Sequence, residues 1–190
     1  MKKRTAFIGA LVSLMPIAQP LLIGSGAAFT GAALILSLPE VANANRRAYF
    51  YFNRAFKKAE KGDDVGAIAD YTKAIELDPE DGDAYYNRAL SKERLEDYAG
   101  AISDYSKAIE RDSEYVDAYI NRGILKDNLE DYSGSIADYN KAIELDPEDG
   151  DAYYNRGILK DNLEDYSGAI ADYTKAIELD PEDGDAYYNR

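Results

Sequence analysis

Gly150–Asp183 reads GDAYYNRGILKDNLEDYSGAIADYTKAIELDPED, and the stretch before it, Val116–Asp149, reads VDAYINRGILKDNLEDYSGSIADYNKAIELDPED; the two differ at four of 34 positions. Gly82–Tyr115 is a third copy, sharing 23 of 34 residues with Gly150–Asp183. Ala48–Asp81 is a more diverged first copy, and Gly184–Arg190 begins a fifth. Self-similarity at this period marks a stack of supersecondary units, each too small to bury its apolar face alone.

Each unit carries two helical patterns. Asp151–Leu163 places Ala152, Tyr153, Ile158, Leu159 and Leu163 without strand-like alternation, and Tyr166–Leu179 places Ile170, Tyr173, Ala176, Ile177 and Leu179 at helical spacing. Asp165 is the expected N-cap of the second helix. Asp180-Pro181 is its expected end, because the residue before proline is pushed out of the α region. Gly184 is read as a flexible turn leading to the next copy. Helices of about 13 residues are marginal alone in water, so the copies must lean on one another.

A 34-residue helix–turn–helix unit resembles the tetratricopeptide repeat, whose signature is W-x2-L-G-x2-Y, A-x3-F and P. In Gly150–Asp183 the matching residues are Tyr153, Gly157, Ala169 with Tyr173, and Pro181. Arg156 stands in place of the Leu and Lys160 in place of the Tyr, and both departures recur in the other copies (Arg54, Arg88, Arg122; Lys58, Lys92, Lys126). The second copy has Ser113 where the others have proline. The resemblance covers residues 48–190. It implies an all-α superhelical solenoid of tandem repeats (48–81, 82–115, 116–149, 150–183 and a partial 184–190), preceded by an apolar N-terminal segment.

Small residues form columns through the copies: Ala55, Ala89, Gly123 and Gly157 on the first helices, and Ala67, Ala101, Ser135 and Ala169 on the second. They allow close helix approach, and Tyr71, Tyr105, Tyr139 and Tyr173 are the large partners, expected to be buried with their hydroxyls at a wet edge. Arg88, Arg122 and Arg156 are expected to pair either with Asp104, Asp138 and Asp172 or with Asp78, Asp112, Asp146 and Asp180, a choice the sequence leaves open.

Composition narrows the function. Residues 45–190 hold 19 basic and 35 acidic side chains, within a chain of net charge −14. Such a body repels nucleic-acid phosphate. With neither Cys nor His, thiolate and imidazole chemistry is absent, from Zn sites to Ser-His triads. The carboxylates repeat regularly, as on a solvated face, so no catalytic residue, cofactor or metal is expected. Asp78–Asp83 and its copies place Gly fifth, which breaks the EF-hand pattern.

Met1-Lys2-Lys3-Arg4 followed by the uncharged run Thr5–Leu38 and the small residues Ala42 and Ala44 reads as an export signal cleaved after Ala44. The alternative is a retained membrane anchor, since Leu21–Leu38 is nearly long enough to span a bilayer. Either form places residues 45–190 outside the cytoplasm, and any membrane contact runs through residues 1–44 alone. With this segment the chain also resembles, more loosely, exported or membrane-tethered cyanobacterial repeat proteins.

The family resemblance further implies that first helices line a concave, ligand-holding face. On them stand Asn53, Asn87, Asn121 and Asn155, with Tyr86, Ile120 and Tyr154 beside them and Asp83, Asp117 and Asp151 ahead. An Asn ladder suits the amides of an extended peptide and is similar to the ladder of O-GlcNAc transferase. The acidic setting favours a neutral or cationic partner. The expected function is that of a non-enzymatic adaptor or scaffold. The alternatives are a membrane-tethered assembly factor, or a piece of a longer protein that carries another, possibly catalytic, domain. Apolar surface around Ile170, Tyr173 and Ile177, beneath the partial fifth copy, is expected to stay partly exposed and to invite self-association.

Overall fold

A computed structural model describes residues 38–182 and 184–190. Most of the apolar N-terminal run, and with it the export-segment expectation, lies outside these residues. The described residues form helices α1 (Leu38–Ala59), α2 (Asp64–Leu77), α3 (Gly82–Arg94), α4 (Tyr98–Arg111), α5 (Val116–Asn128), α6 (Tyr132–Leu145), α7 (Gly150–Asn162), α8 (Tyr166–Leu179) and α9 (Gly184–Asn189). Each copy is one antiparallel pair, and each second helix packs on the first helix of the next copy. First helices also meet one another, α1 with α3 and α5 with α7, as they must if they line the inside of a curve.

α1 is 22 residues long, against 13 for α3, α5 and α7, and starts ten residues ahead of the first repeat. The expected cut after Ala44 therefore falls inside it. No helix among the described residues is long and apolar enough to cross a membrane.

Second helices start on an aspartate whose Oδ1 accepts from the backbone N–H of a glycine three residues on: Asp63–Gly66, Asp97–Gly100, Asp131–Gly134 and Asp165–Gly168, each at 3.0 Å. A Cβ on Gly134 would run into the Asp131 carboxylate, so the cap itself requires the glycine. The helix ends fall where the sequence reading puts them, but proline is not their shared cause. α4 stops at Arg111 just as its counterparts stop at Leu77, Leu145 and Leu179, although Ser113 replaces the proline. What all four ends share is an aspartate whose carboxylate accepts from the backbone N–H two residues on: Asp78–Glu80, Asp112–Glu114, Asp146–Glu148 and Asp180–Glu182. This Asx turn ends the helix, with or without proline.

Gly184 is likewise no flexible turn. It opens α9, as Gly82 opens α3 and Gly150 opens α7. The left-handed position lies instead between the two helices of a pair, where Glu96, Glu130 and Glu164 hold φ of 62–63° and the first copy has Gly62 at 79°.

The small and large columns meet as expected. Ala55, Ala89, Ala67, Ala101 and Ser135 are fully buried, as are Tyr71 and Tyr105, with Tyr139 and Tyr173 nearly so. The Gly157 α-carbon lies so close to Tyr173 that a Cβ there would stand 2.8 Å from Cε1, and Gly123 faces Tyr139 at the same distance. The wet-edge expectation for the hydroxyls does not hold throughout: the Tyr71 Oη is buried and without a hydrogen-bond partner, whereas the Tyr105 Oη donates to Glu93 Oε2 at 2.9 Å. The expectation of exposed apolar surface near α8 is also corrected. Ile170 is exposed, but Tyr173 is buried against Gly157 of its own pair, and Ile177 is buried where Ala186 of α9 packs on Ala176 and Ile177.

Candidate functional site

The inner face is built from α3, α5, α7 and their neighbours, and two sets of polar groups position it. The first set resolves the Arg question. Arg88 Nε and Nη2 donate to Asp104 at 2.8 and 2.7 Å, Arg122 to Asp138 at 2.9 and 2.6 Å, and Arg156 to Asp172 at 2.8 and 2.7 Å. Arg54 pairs likewise with Asp70 at 2.6 Å. The second departure from the repeat signature converges on the same carboxylates: Lys58, Lys92, Lys126 and Lys160 lie 2.8–2.9 Å from Asp70, Asp104, Asp138 and Asp172. These aspartates are at most 4% exposed, so each is a buried anion clamped by two cations. Asp70 is held down at about 2, chiefly by the Arg54 hydrogen bond, against burial and with help from Lys58. For Asp172, burial is the largest influence and pushes upward, but Arg156 and Lys160 together outweigh it and the carboxyl stays below its ordinary range.

Each remaining guanidinium nitrogen reaches the previous copy. Arg88 Nη1 donates to Thr72 Oγ1, Arg122 Nη1 to Ser106 Oγ and Arg156 Nη1 to Asn140 Oδ1, at 3.0, 3.0 and 2.6 Å. The Arg column therefore fixes both the pairing within a copy and the register between copies. The lysine role was missed in the sequence, although its signal was present: Arg at i, Lys at i+4 and Asp at i+16, repeated every 34 residues.

The second set is the Asn ladder with its neighbours. Asn53, Asn87 and Asn155 are half-buried, and each donates an amide hydrogen to the carbonyl four residues back, of Tyr49, Asp83 and Asp151, at 2.7–2.8 Å. Asn121 donates to Tyr86 Oη at 3.0 Å and Asn189 to Tyr154 Oη at 2.9 Å, across the junction between copies. One amide N–H per rung is thus committed, which leaves the side-chain carbonyl as the acceptor half of the group. Tyr86 is half-buried and stacks on Tyr115 at 4.7 Å between centroids, and the Tyr115 hydroxyl donates to Asp83. Tyr154 is half-buried. Ile120 departs from expectation: it is 6% exposed and packed with Tyr139 and Leu159. An isoleucine at this column sinks into the core, having no hydroxyl to hold at the surface.

Asp83, Asp117 and Asp151 are exposed. The Asp117 carboxyl is raised, first by the surrounding protein mass and then by the charge of Asp151, which places two anions on one face. The acidic loops carry caps rather than a cation cage. Asp78 accepts from Glu80 N–H, and Asp81 from Ala84 N–H at 3.1 Å.

Known proteins give the arrangement a context. Family models described as "Tetratricopeptide repeat" and "TPR repeat" match residues 82–115 and 150–183, and residues 58–95 and 128–160. No curated protein matches the chain in sequence. Among solved structures, MamA is similar at 26% identity and TM-score 0.72, over 76% of this chain and 79% of that one. YrrB, described as a TPR protein with an unusual peptide-binding site, is similar at 27% identity and TM-score 0.67, over 80% and 78%. The first TPR of Spaghetti, bound to the HSP90 peptide SRMEEVD, is similar at 28% identity and TM-score 0.61, over 63% and 94%. Paired helices in tandem, small residues facing buried tyrosines at the signature columns, and two family models that together span more than half of the sequence agree: this chain belongs to the tetratricopeptide-repeat family.

Proposed function

We propose that this protein is an interaction adaptor that holds an extended segment of another protein on the inner face of its first helices. The observation that carries the reading is the recurrence, rung after rung, of a half-buried Asn whose amide nitrogen is pinned at Asn53, Asn87 and Asn155 to its own helix. A pinned side chain loses little freedom when a ligand arrives, so its carbonyl can accept a peptide N–H at low entropic cost. Two similar solved structures, YrrB with its described peptide-binding site and the Spaghetti domain bound to an HSP90 peptide, support the class of ligand. Asp83, Asp117 and Asp151 make the face acidic and favour a neutral or cationic segment. No side chain is singled out here for catalysis, since every buried aspartate of the repeat column is neutralised by its Arg and Lys.

The basic start, the uncharged run and Ala42–Ala44 support export, by cleavage or with the segment kept as an anchor. Cleavage after Ala44 entails opening the first turns of α1. Exposed Tyr166, Ile170 and Tyr188 near α8 and α9 favour contact with a further chain or a second copy.

Site-specific photocrosslinking tests the face. With the reactive group at Tyr154 or Ile158, a partner from the source cell should be captured. With it at Lys141 or Lys175 on the second helices, capture should be lost. Equal capture from both sets points to a different face.

A further inference from the structure

The first copy differs from the others at one place that matters chemically. The Tyr105 hydroxyl donates to Glu93, and the column of Glu93 continues as Asp127 and Asp161 in the later copies. In the first copy that column holds Ala59, packed against Tyr71. Tyr71 is fully buried, and its hydroxyl has no partner, whereas Glu93 supplies one to Tyr105 in the second copy. The missing side chain leaves a recess of about 180 Å³, lined by Ala59, Tyr71, Glu60 and Arg94, with Phe56 and Leu90 as apolar walls. Asn87 of the ladder stands at the same recess, so it opens beside the proposed peptide path.

The lining selects its occupant. Tyr71 needs an acceptor, which an ammonium group cannot provide. A carboxylate could accept, but it would sit against Glu60, with Asp64 beyond it already holding Arg94 through bonds of 2.8 and 2.5 Å. A carboxamide meets both demands: its oxygen accepts from Tyr71 and its NH2 donates to Glu60, while its methylenes lie on Phe56 and Leu90. Resting on the inner-face reading above, we infer that this recess is the anchor subsite of the groove and takes a Gln or Asn side chain of the bound segment.

The probes are propionamide, propionate and propylammonium, titrated into the isotope-labelled full chain in mild detergent and read by NMR at Tyr71 and its neighbours. Propionamide should shift these signals in a saturable way, and the other two should bind at least about tenfold more weakly. Ala59→Glu rebuilds the partner present in the second copy and fills the recess. Tyr71→Phe removes the orphan hydroxyl. Both variants should melt no lower than the parent, since each relieves an unsatisfied buried donor. Propionamide affinity should fall at least about tenfold in Ala59→Glu and several-fold in Tyr71→Phe. Equal shifts in all three proteins, no saturable shift in the parent (a recess filled by water only), or equal binding of propionate would overturn the assignment. The readout needs no partner protein. Its failure therefore removes the anchor and leaves the inner-face reading to its own crosslinking test.

Discussion

Asp138→Ala is expected to lower the stability of the repeat array by about 3–5 kcal/mol, because it strips the shared carboxylate from two largely buried cations. The side chains of Arg122 and Lys126 are 17% and 20% exposed, and both lie on Asp138. At that exposure each cation loses its partner while most of its side chain stays out of solvent. Two comparisons separate this account from a generic core defect. Asp70→Ala should cost markedly less, because Arg54 and Lys58 are 43% and 33% exposed and can turn to solvent. The triple change Arg122→Leu, Lys126→Tyr, Asp138→Ala restores the two residues of the repeat signature and removes every charge of the cluster. It should recover most of the loss, as a buried ion cluster replaced by apolar groups often does. Chemical denaturation of the three variants gives the order directly. If Asp138→Ala and Asp70→Ala were equal, burial would not be what makes this cluster matter.

Gly157→Leu is the second large effect, at about 1–3 kcal/mol or more by overpacking. The argument is steric. The Cβ alone would stand 2.8 Å from Tyr173 Cε1 and 2.9 Å from Cδ1, and Tyr173 is 2% exposed, so its ring has nowhere to swing. Gly157→Ala should also destabilise, but by less than leucine, because its single Cβ asks for a small shift of the two helices rather than room for three further carbons. The second copy already houses Ala89 opposite Tyr105 with both fully buried, and alanine regains about 1 kcal/mol of helix propensity over glycine. Thermal melts that show leucine tolerated as well as alanine would contradict the packing described for this column.

Much of this was legible in the residues. The period set the stack, and the spacing in Tyr166–Leu179 placed α8 on its observed bounds, because amphipathic helices announce themselves through apolar recurrence. Asp165 was readable as a cap for the same local reason. The parts that escaped depend on three-dimensional neighbours. Two sets of aspartates could have met the Arg column, and only the packing angle of each pair brings Asp104, Asp138 and Asp172 under it. The substitution of Ala59 for an acidic residue reads as surface variation until the Tyr71 hydroxyl is seen to lie behind it. Ile120 shares a column with Tyr86 and Tyr154, yet chemistry sinks it into the core. Gly184 reads as a turn residue by type, but the Asx turn ahead of it at Asp180 has already ended the helix.

If the inner face binds an extended segment, it does so through its Asn rungs. Asn87, Asn121 and Asn155 replaced together by Ala test it most directly, by the affinity of a crosslink-identified segment measured alongside the far-ultraviolet circular dichroism spectrum. Three lost hydrogen bonds at about 0.5–1.5 kcal/mol each correspond to an affinity at least about tenfold weaker. The account predicts that loss with helicity unchanged; unchanged affinity in a fully helical variant would contradict it.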